Sequence, residues 1–473
     1  MRDHLVSGAW ERSEHSEPVY APYSGELLAE VPIASLDQLE RATAGAERAA
    51  RDVATLPTWR RMAILRAVAK GLEDRLEAIA SLLSQEAGKP IDYARGEVRR
   101  ASQTFSFAAD ELLAERGDVI PMDASTGGTG VWGLTRRFPV GPILAITPFN
   151  FPLNLVAHKV APAIAAGCPI VLKPANKTPL TAFTLAEIVL EAGWPPEALS
   201  VLNVAVSDAH ILVRDARYKV LSFTGSDTVG WQLKAQAGRK RCLLELGGDA
   251  AVVIAEDAGD LDAIAQRCAF GAFAYAGQVC ISVQRVLVHE CHYEAFLEAL
   301  IRATRDTVRV GPPSESGVMM SCLINESASA KVSRILEQTV AAGAVIHTGG
   351  GHLEPTILSS VPMGSPLDVE EIFGPAVHVR SFSTLDDAIH EVNRSRFGLH
   401  TGLFTDHLET INRCFESLHV GGLIVNNVPT FRVDHMPYGG IKDSGLGREG
   451  LRHSYAEFTE PRLLVLPKSS ATR

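Results

Sequence analysis

The sequence predicts an α/β protein of at least two domains, and three observations lead there. The chain has 473 residues, too many for one hydrophobic core. Its residues are 46% hydrophobic but only 6% aromatic, the composition of an ordinary soluble α/β chain. From Val140 onward, short apolar runs alternate with helical patterns, which calls for parallel sheets joined by helical crossovers.

The elements follow in order. Ser35 to about Asp52 predicts a helix, opened by a capping box of Ser35 and Gln38. A second helix follows Thr58, where Leu65, Val68, Leu72, Leu76 and Ile79 make one apolar face. Gly127 to Phe138 alternates weakly after a glycine-rich turn and predicts an extended hairpin. Ile143–Thr147 reads as a strand, Asn154–Ala166 as a helix, Ile170–Lys173 as a strand and Pro179–Ala192 as a helix. Val201–Val204 is a third strand, and Tyr218–Thr224 a fourth that runs into a glycine turn and another helix. This succession fits a sheet of the dinucleotide-binding type. A second series starts near Ala250 with the strand Ala251–Ile254 and continues to about Val425. No repeat, charged block or low-complexity tract interrupts it. The tail Lys468 to Arg473 is expected to fray.

Charge and cysteine usage narrow the setting. The formal net charge is -10, and lysine and arginine are scattered, so no nucleic-acid partner is expected. The seven cysteines are odd in number, widely spaced and without a C-x-x-C pair, which argues against a disulfide framework or a metal site. The N-terminus lacks the apolar stretch of a signal peptide. The longest apolar run, Val160 to Leu172, is broken by Pro162, Gly167 and Pro169 and is too short to span a membrane. A cytoplasmic location is expected.

The chemistry lies in a few short segments. Leu244 to Asp249 and Ala276 to Cys280 each place one reactive side chain, Glu245 and Cys280, among small or apolar residues. A thiol can attack a carbonyl carbon, and a carboxylate can take a proton from the water that later removes the acyl group. Gly225 to Gly230 follows a strand and opens a helix, where backbone N–H groups can hold a diphosphate; no G-x-G-x-x-G follows the earlier strands. Thr147 to Pro152 ends a strand, and the Asn150 amide there can donate to an oxyanion. Lys173 to Pro179 ends another. Each segment alone has a plainer reading: a lone cysteine is usually a small buried hydrophobe, and adjacent glutamates such as Glu370 and Glu371 are usually solvated.

With Glu370 to Pro375 and Met436 to Gly450 these segments fall in one order, and from about Val6 to about Pro467 the chain resembles the aldehyde dehydrogenase superfamily. The resemblance implies a Rossmann-like cofactor domain (1–118 and 140–246), an α/β catalytic domain (247–444), and a β-hairpin oligomerisation arm (119–139 and 455–473). It makes Cys280 the nucleophile, Glu245 the general base, and Asn150 with the Cys280 backbone N–H the oxyanion donors. Cofactor contacts fall on Ile146, Thr147, Pro148 and Phe149, on Gly225, Ser226 and Val229, and on Leu246 and Gly247. Lys173 bonds the adenosine ribose, Glu371 the nicotinamide ribose, and Phe373 packs by the nicotinamide. Asn176 departs from the family, where a glutamate commonly bonds the ribose 2′-hydroxyl; without that carboxylate, NAD or NADP is expected. Glu449 is associated with proton passage.

The implied reaction converts an aldehyde to its acid through a thiohemiacetal and a thioester on Cys280. The alternatives are a CoA-acylating relative, against which Glu245 argues, and a non-enzymatic NAD(P)-binding scaffold, against which the full set of reactive residues argues. From Phe138–Pro142 through Pro179 and from Gln278–Arg285, the chain is most similar to the lactaldehyde, glyceraldehyde and phosphonoacetaldehyde dehydrogenase branch. A small polar or anionic aldehyde is the expected partner, met by Asn154, His158, Val279, Ile281, Arg432 and Tyr438. The plainer reading turns Arg432 outward to a carboxylate such as Asp434. A homodimer or homotetramer is expected.

Overall fold

The computed structural model describes residues 3–114 and 117–467. Two large sheets carry the fold. The first has eight strands, with a parallel centre in the order Arg241–Glu245, Val220–Thr224, Ile143–Ile146, Ile170–Lys173 and Leu199–Val201. Antiparallel strands close its edges: Gly445–Leu446 on one side, His4–Val6 and then Ala9–Glu11 on the other. Ile143–Ile146, Ile170–Lys173 and Val220–Thr224 are buried along their length, as parallel strands covered on both faces must be. The second sheet runs Val345–Thr348, Thr356–Ser359, Ala376–Phe382, Arg285–His289, Ala251–Ile254, His400–Phe404 and Gly422–Val425. Only its first pair is antiparallel.

The first helix spans Leu36–Ala54, and both halves of the Ser35–Gln38 capping box are formed. The next departs from expectation. Helix Thr58–Asp74 stops at Arg75, whose φ of -110° and ψ of 17° break it before Leu76–Ala87. The apolar stripe therefore crosses two helices. Its period survives because both segments pack on one core, with Leu65, Val68, Leu72 and Ile79 all buried. The strand expected at Val201–Val204 lies at Leu199–Val201, because Ile170 pairs with Leu199 and Leu172 with Val201.

Within the expected hairpin arm 119–139, Val119–Ile120 and the long strand Val131–Pro139 pair antiparallel, the latter taking up most of the stretch Gly127 to Phe138. Val131–Pro139 also pairs antiparallel with Thr459–Pro467, from Pro139 opposite Thr459 to Val131 opposite Pro467. The expected fraying tail, 468–473, lies outside the described residues.

Two buried carboxylates set the helices that lead into the site. Glu86 accepts from the backbone N–H groups of Leu180 (2.9 Å) and Thr181 (3.0 Å), capping helix Leu180–Glu191. Glu97, ion-paired with buried Lys89, accepts from Leu153 N (2.9 Å) and Asn154 N (3.0 Å). A carboxylate at a helix start satisfies open N–H groups and complements the dipole, so helix Asn154–Ala166 begins at a fixed place behind Asn150.

Candidate active site

The C-terminal ends of the first sheet and the loop before Arg285–His289 face one cavity of about 310 Å³. In that loop Tyr275, Ala276 and Gly277 take positive φ in succession (53°, 54° and 68°), a strained course for the first two. Gly277 tolerates no side chain: a Cβ would lie 2.2 Å from the Gly374 oxygen. The sharp turn brings Val279, Cys280 and Ile281 to the cavity wall. Gln278 ties the loop down, its Nε2 donating to Cys322 O (3.1 Å) and its carbonyl accepting from Asn150 Nδ2 (2.9 Å). Asn150 is thus joined to the cysteine loop and lines the same cavity.

Cys280 is partly buried, and burial pushes its thiol up to about 11, against the pull of the Tyr438 hydroxyl and the Arg432 charge. Glu245 ends strand Arg241–Glu245 in the cavity wall, with neither carboxylate oxygen hydrogen-bonded. Burial, and next the charge of Glu449, raise its pKa well above the carboxylate range. Glu449 lies one layer behind the wall. Against the effect of burial, Lys159, His158 and Arg432 hold it low, and Lys159 Nζ donates to its Oε1 at 3.0 Å.

Arg432 faces inward. Its guanidinium stacks on the Tyr438 ring at 3.7 Å, and its Nε is buried with no hydrogen-bond partner. Its ion-pair partner is Glu449, whose Oε2 lies 3.4 Å from Nη2, and not Asp434. The Asp434 carboxylate instead accepts from Arg100 Nη2 (2.7 Å), Asn154 Nδ2 (3.0 Å) and His158 Nε2 (2.9 Å). Burial, then the Arg432 charge, lower the His158 pKa, and its Nε2 is held against Asp434. Arg432 Nη2 approaches that nitrogen at 3.4 Å. Asn154 reaches the cavity, but His158, expected there, is withdrawn behind it by Asp434.

The expected cofactor residues divide between this cavity and the adjoining sheet edge. Pro148, Phe149, Gly225, Ser226, Leu246, Gly247, Glu371 and Phe373 line the cavity. Ile146 and Lys173 end neighbouring strands as a register pair, and Thr147 N bonds Lys173 O (3.1 Å). Val229 is 43% exposed on helix Asp227–Gln236 and stays outside the cavity wall. Burial lowers Lys173 to about 8, its Nζ bonded to Asn176 Oδ1 (2.7 Å). Asn176 Nδ2 in turn donates to Glu17 Oε1 (2.8 Å), which also accepts from Asn203. A carboxylate absent from position 176 is thus present one layer below it.

These surroundings fit a dinucleotide. Thr147 Oγ1 and Thr224 Oγ1 are buried without partners, and Ser226 leaves the start of its helix uncapped. Arg396 neutralises Asp227 in the first turn, leaving the helix start open to an anion. A Cβ at Gly247 would lie 2.2 Å from the Glu371 carboxylate, so only glycine admits this close approach. Burial raises Glu371 to about 7, opposed by the Gly248 N–H at 2.9 Å.

Three contributors escaped the sequence reading. Arg100 and Glu17 come from distant segments without a local motif. Lys159 had a signal, a lysine inside the apolar helix Asn154–Ala166, where burial demands a counter-charge.

A cysteine thiol in a cavity beside a sheet shaped for a dinucleotide fits a cofactor-linked oxidoreductase. The model of the aldehyde dehydrogenase family matches residues 10–464, and the chain belongs to that family. It is 38% identical over 466 residues to the 3-sulfolactaldehyde dehydrogenase of Priestia aryabhattai, covering 98% of this chain and 97% of that one. Aldehyde dehydrogenase 21 of Physcomitrella patens, solved with the product succinate, superposes with a TM-score of 0.97 at 39% identity, covering 100% of this chain and 99% of that one. Glyceraldehyde-3-phosphate dehydrogenase GapN of Methanocaldococcus jannaschii, solved with NADP, superposes at 0.92 with 35% identity, covering 96% and 100%. The protein is an enzyme that oxidises an aldehyde to a carboxylic acid with NAD or NADP.

Proposed function

We propose that the aldehyde is small and anionic, and that Arg432 receives its charged end while Cys280 attacks its carbonyl carbon. The observation that carries this reading is the Arg432 guanidinium, buried in the cavity wall with its Nε unpartnered. A buried cation without a full set of acceptors favours a ligand that brings one. Arg100 and Asn154 add polar groups to the same wall. The substrates named for the relatives, sulfolactaldehyde and glyceraldehyde 3-phosphate, and the succinate bound to the moss enzyme all carry an anionic group, which supports the assignment.

The residue roles follow. Sulfur bonds the carbonyl carbon, and the oxyanion is held by the Asn150 amide and the Cys280 backbone N–H. A bound nicotinamide supplies the hydride acceptor; Lys173, Ser226 and Glu371 are the residues to hold that cofactor. The oxidised species left on Cys280 is a thioester. Glu245 takes a proton from water, whose oxygen bonds the thioester carbon; the tetrahedral species then breaks its C–S bond, releasing the acid and the Cys280 thiolate. Glu449, held in place by Lys159, is the buried carboxylate assigned to pass that proton on.

The cofactor domain is assigned to 1–118 and 140–246 and the catalytic domain to 247–444. Strand Thr459–Pro467, with Val131–Pro139, is assigned to contacts between copies in a homodimer or homotetramer.

The test compares Arg432→Leu with the parent on succinate semialdehyde, phosphonoacetaldehyde, glyceraldehyde and hexanal. A hydrogen bond to a charged group corresponds to roughly tenfold to a hundredfold in kcat/KM. Loss of that size on the anionic aldehydes, with hexanal retained or improved, is expected. Equal losses across the panel would refute the assignment.

A further inference from the structure

We propose that Tyr438 is a catalytic residue: its hydroxyl hydrogen-bonds Cys280 Sγ and favours the thiolate that attacks. This deepens the reading of Cys280 as nucleophile and rests on it. The two atoms are 2.9 Å apart. The phenol is held there on every side. Its ring carries the Arg432 guanidinium at 3.7 Å and packs edge-on to His400 at 5.0 Å. Its backbone pairs with Glu449 in both directions, N to O at 3.0 Å and O from N at 2.7 Å. A side chain 2% exposed and fixed at backbone and ring presents its hydroxyl to the sulfur.

The charged and titratable groups that face Sγ divide in sign. The Tyr438 hydroxyl and Arg432 favour the thiolate; Glu371 and Glu245 oppose it, and burial opposes it most. Burial and the nearby Cys280 charge hold the phenol protonated, so Tyr438 donates rather than serving as a base. On ionisation the thiol proton passes to solvent, and the O–H turns onto sulfur. The bond has two effects that differ in size. It raises the thiolate population by roughly tenfold to a hundredfold. It also lowers the nucleophilicity of each thiolate, by about half of that on a logarithmic scale. Because burial places the thiol above neutral pH, the population effect wins there, leaving a net gain of about three- to tenfold.

The experiment is Tyr438→Phe, which keeps the ring and its packing and removes only the hydroxyl. Alkylation by iodoacetamide is followed against pH on the full chain without cofactor, with peptide mass mapping to confirm that Cys280 is the thiol modified. At pH 8 the variant should react about three- to tenfold more slowly. Its half-maximal rate should move to higher pH, and its limiting rate at high pH should exceed the parent's. Profiles that superimpose, or differ by one factor at every pH as a change of access or packing would give, overturn the proposal. Turnover of Cys280→Ala is measured alongside. If that variant still oxidises aldehydes, the nucleophile assignment fails, while the alkylation profiles still report the bond between Tyr438 and Cys280.

Discussion

Glu245 combines burial, two unpartnered oxygens and a raised pKa, and each bears on one step. Below that pKa it is protonated and cannot take a proton from water; above it, it is a stronger base than an ordinary carboxylate. Turnover limited by thioester hydrolysis should therefore rise with pH through an inflection above the normal carboxylate range, and a pH profile of kcat measures this. An inflection at the pH of an exposed glutamate would contradict the assignment. In Glu245→Gln the first turnover should survive while the thioester persists. Rapid mixing should show a burst of reduced cofactor followed by a slow steady state, and equal loss of both phases would place Glu245 earlier in the reaction. Cys280, Glu245 and Asn150 were singled out in the sequence by the order of their motifs and the family resemblance rather than by any one segment, and the fold brings all three to one cavity. The wall around Arg432 was only half legible. Its inward course follows from Asp434 being claimed by Arg100, Asn154 and His158, pairings that only the packed fold creates.

At the scale of elements, the N-terminal hairpin of Ser16–Tyr20 and Leu27–Pro32 reaches the cofactor edge. Through Glu17 it fixes the Asn176 amide with its oxygen towards Lys173, and it adds a carboxylate beside the residues proposed to hold the adenosine ribose. NAD and NADP are both expected to work, with Glu17 biasing the enzyme against a 2′-phosphate. Glu17→Gln keeps an acceptor for Asn176 but removes the charge, so it should improve binding of 2′,5′-ADP relative to 5′-AMP. Asn176→Glu should shift the ratio the other way. Calorimetric titration reads both, and a ratio indifferent to Glu17→Gln would show the carboxylate to be purely structural. The strand ends bearing Lys173 and Asn176 were readable from apolar runs that stop at a turn. The hairpin's role was not, because contacts between distant segments leave no period in either. The break at Arg75 was invisible for the opposite reason: the apolar period continues across it.

For the whole molecule, the decisive feature is the strand Thr459–Pro467 at the outer edge of its three-stranded sheet. Leu463, Leu464, Val465 and Leu466 are 55%, 53%, 47% and 42% exposed, so both faces of the strand are apolar and uncovered within one copy. A long apolar edge strand invites pairing with another chain. The sequence pointed to the arm through its resemblance, and the pairing with Val131–Pro139 supplies the geometry. Side chains alternate between faces, so Leu463 and Val465 share one face and Leu464 and Leu466 the other. Two double variants separate the faces: Leu463→Glu with Val465→Glu, and Leu464→Glu with Leu466→Glu. Light scattering on the parent should give the mass of a dimer or tetramer, and at least one pair should reduce it. The helix Leu451–Glu457 joins this strand directly to the loop that carries Tyr438 and Glu449, so dissociation should also lower turnover. A parent that is already monomeric, or two variants that keep its mass, would remove the arm from assembly. Lower mass with full activity would instead separate assembly from the active site.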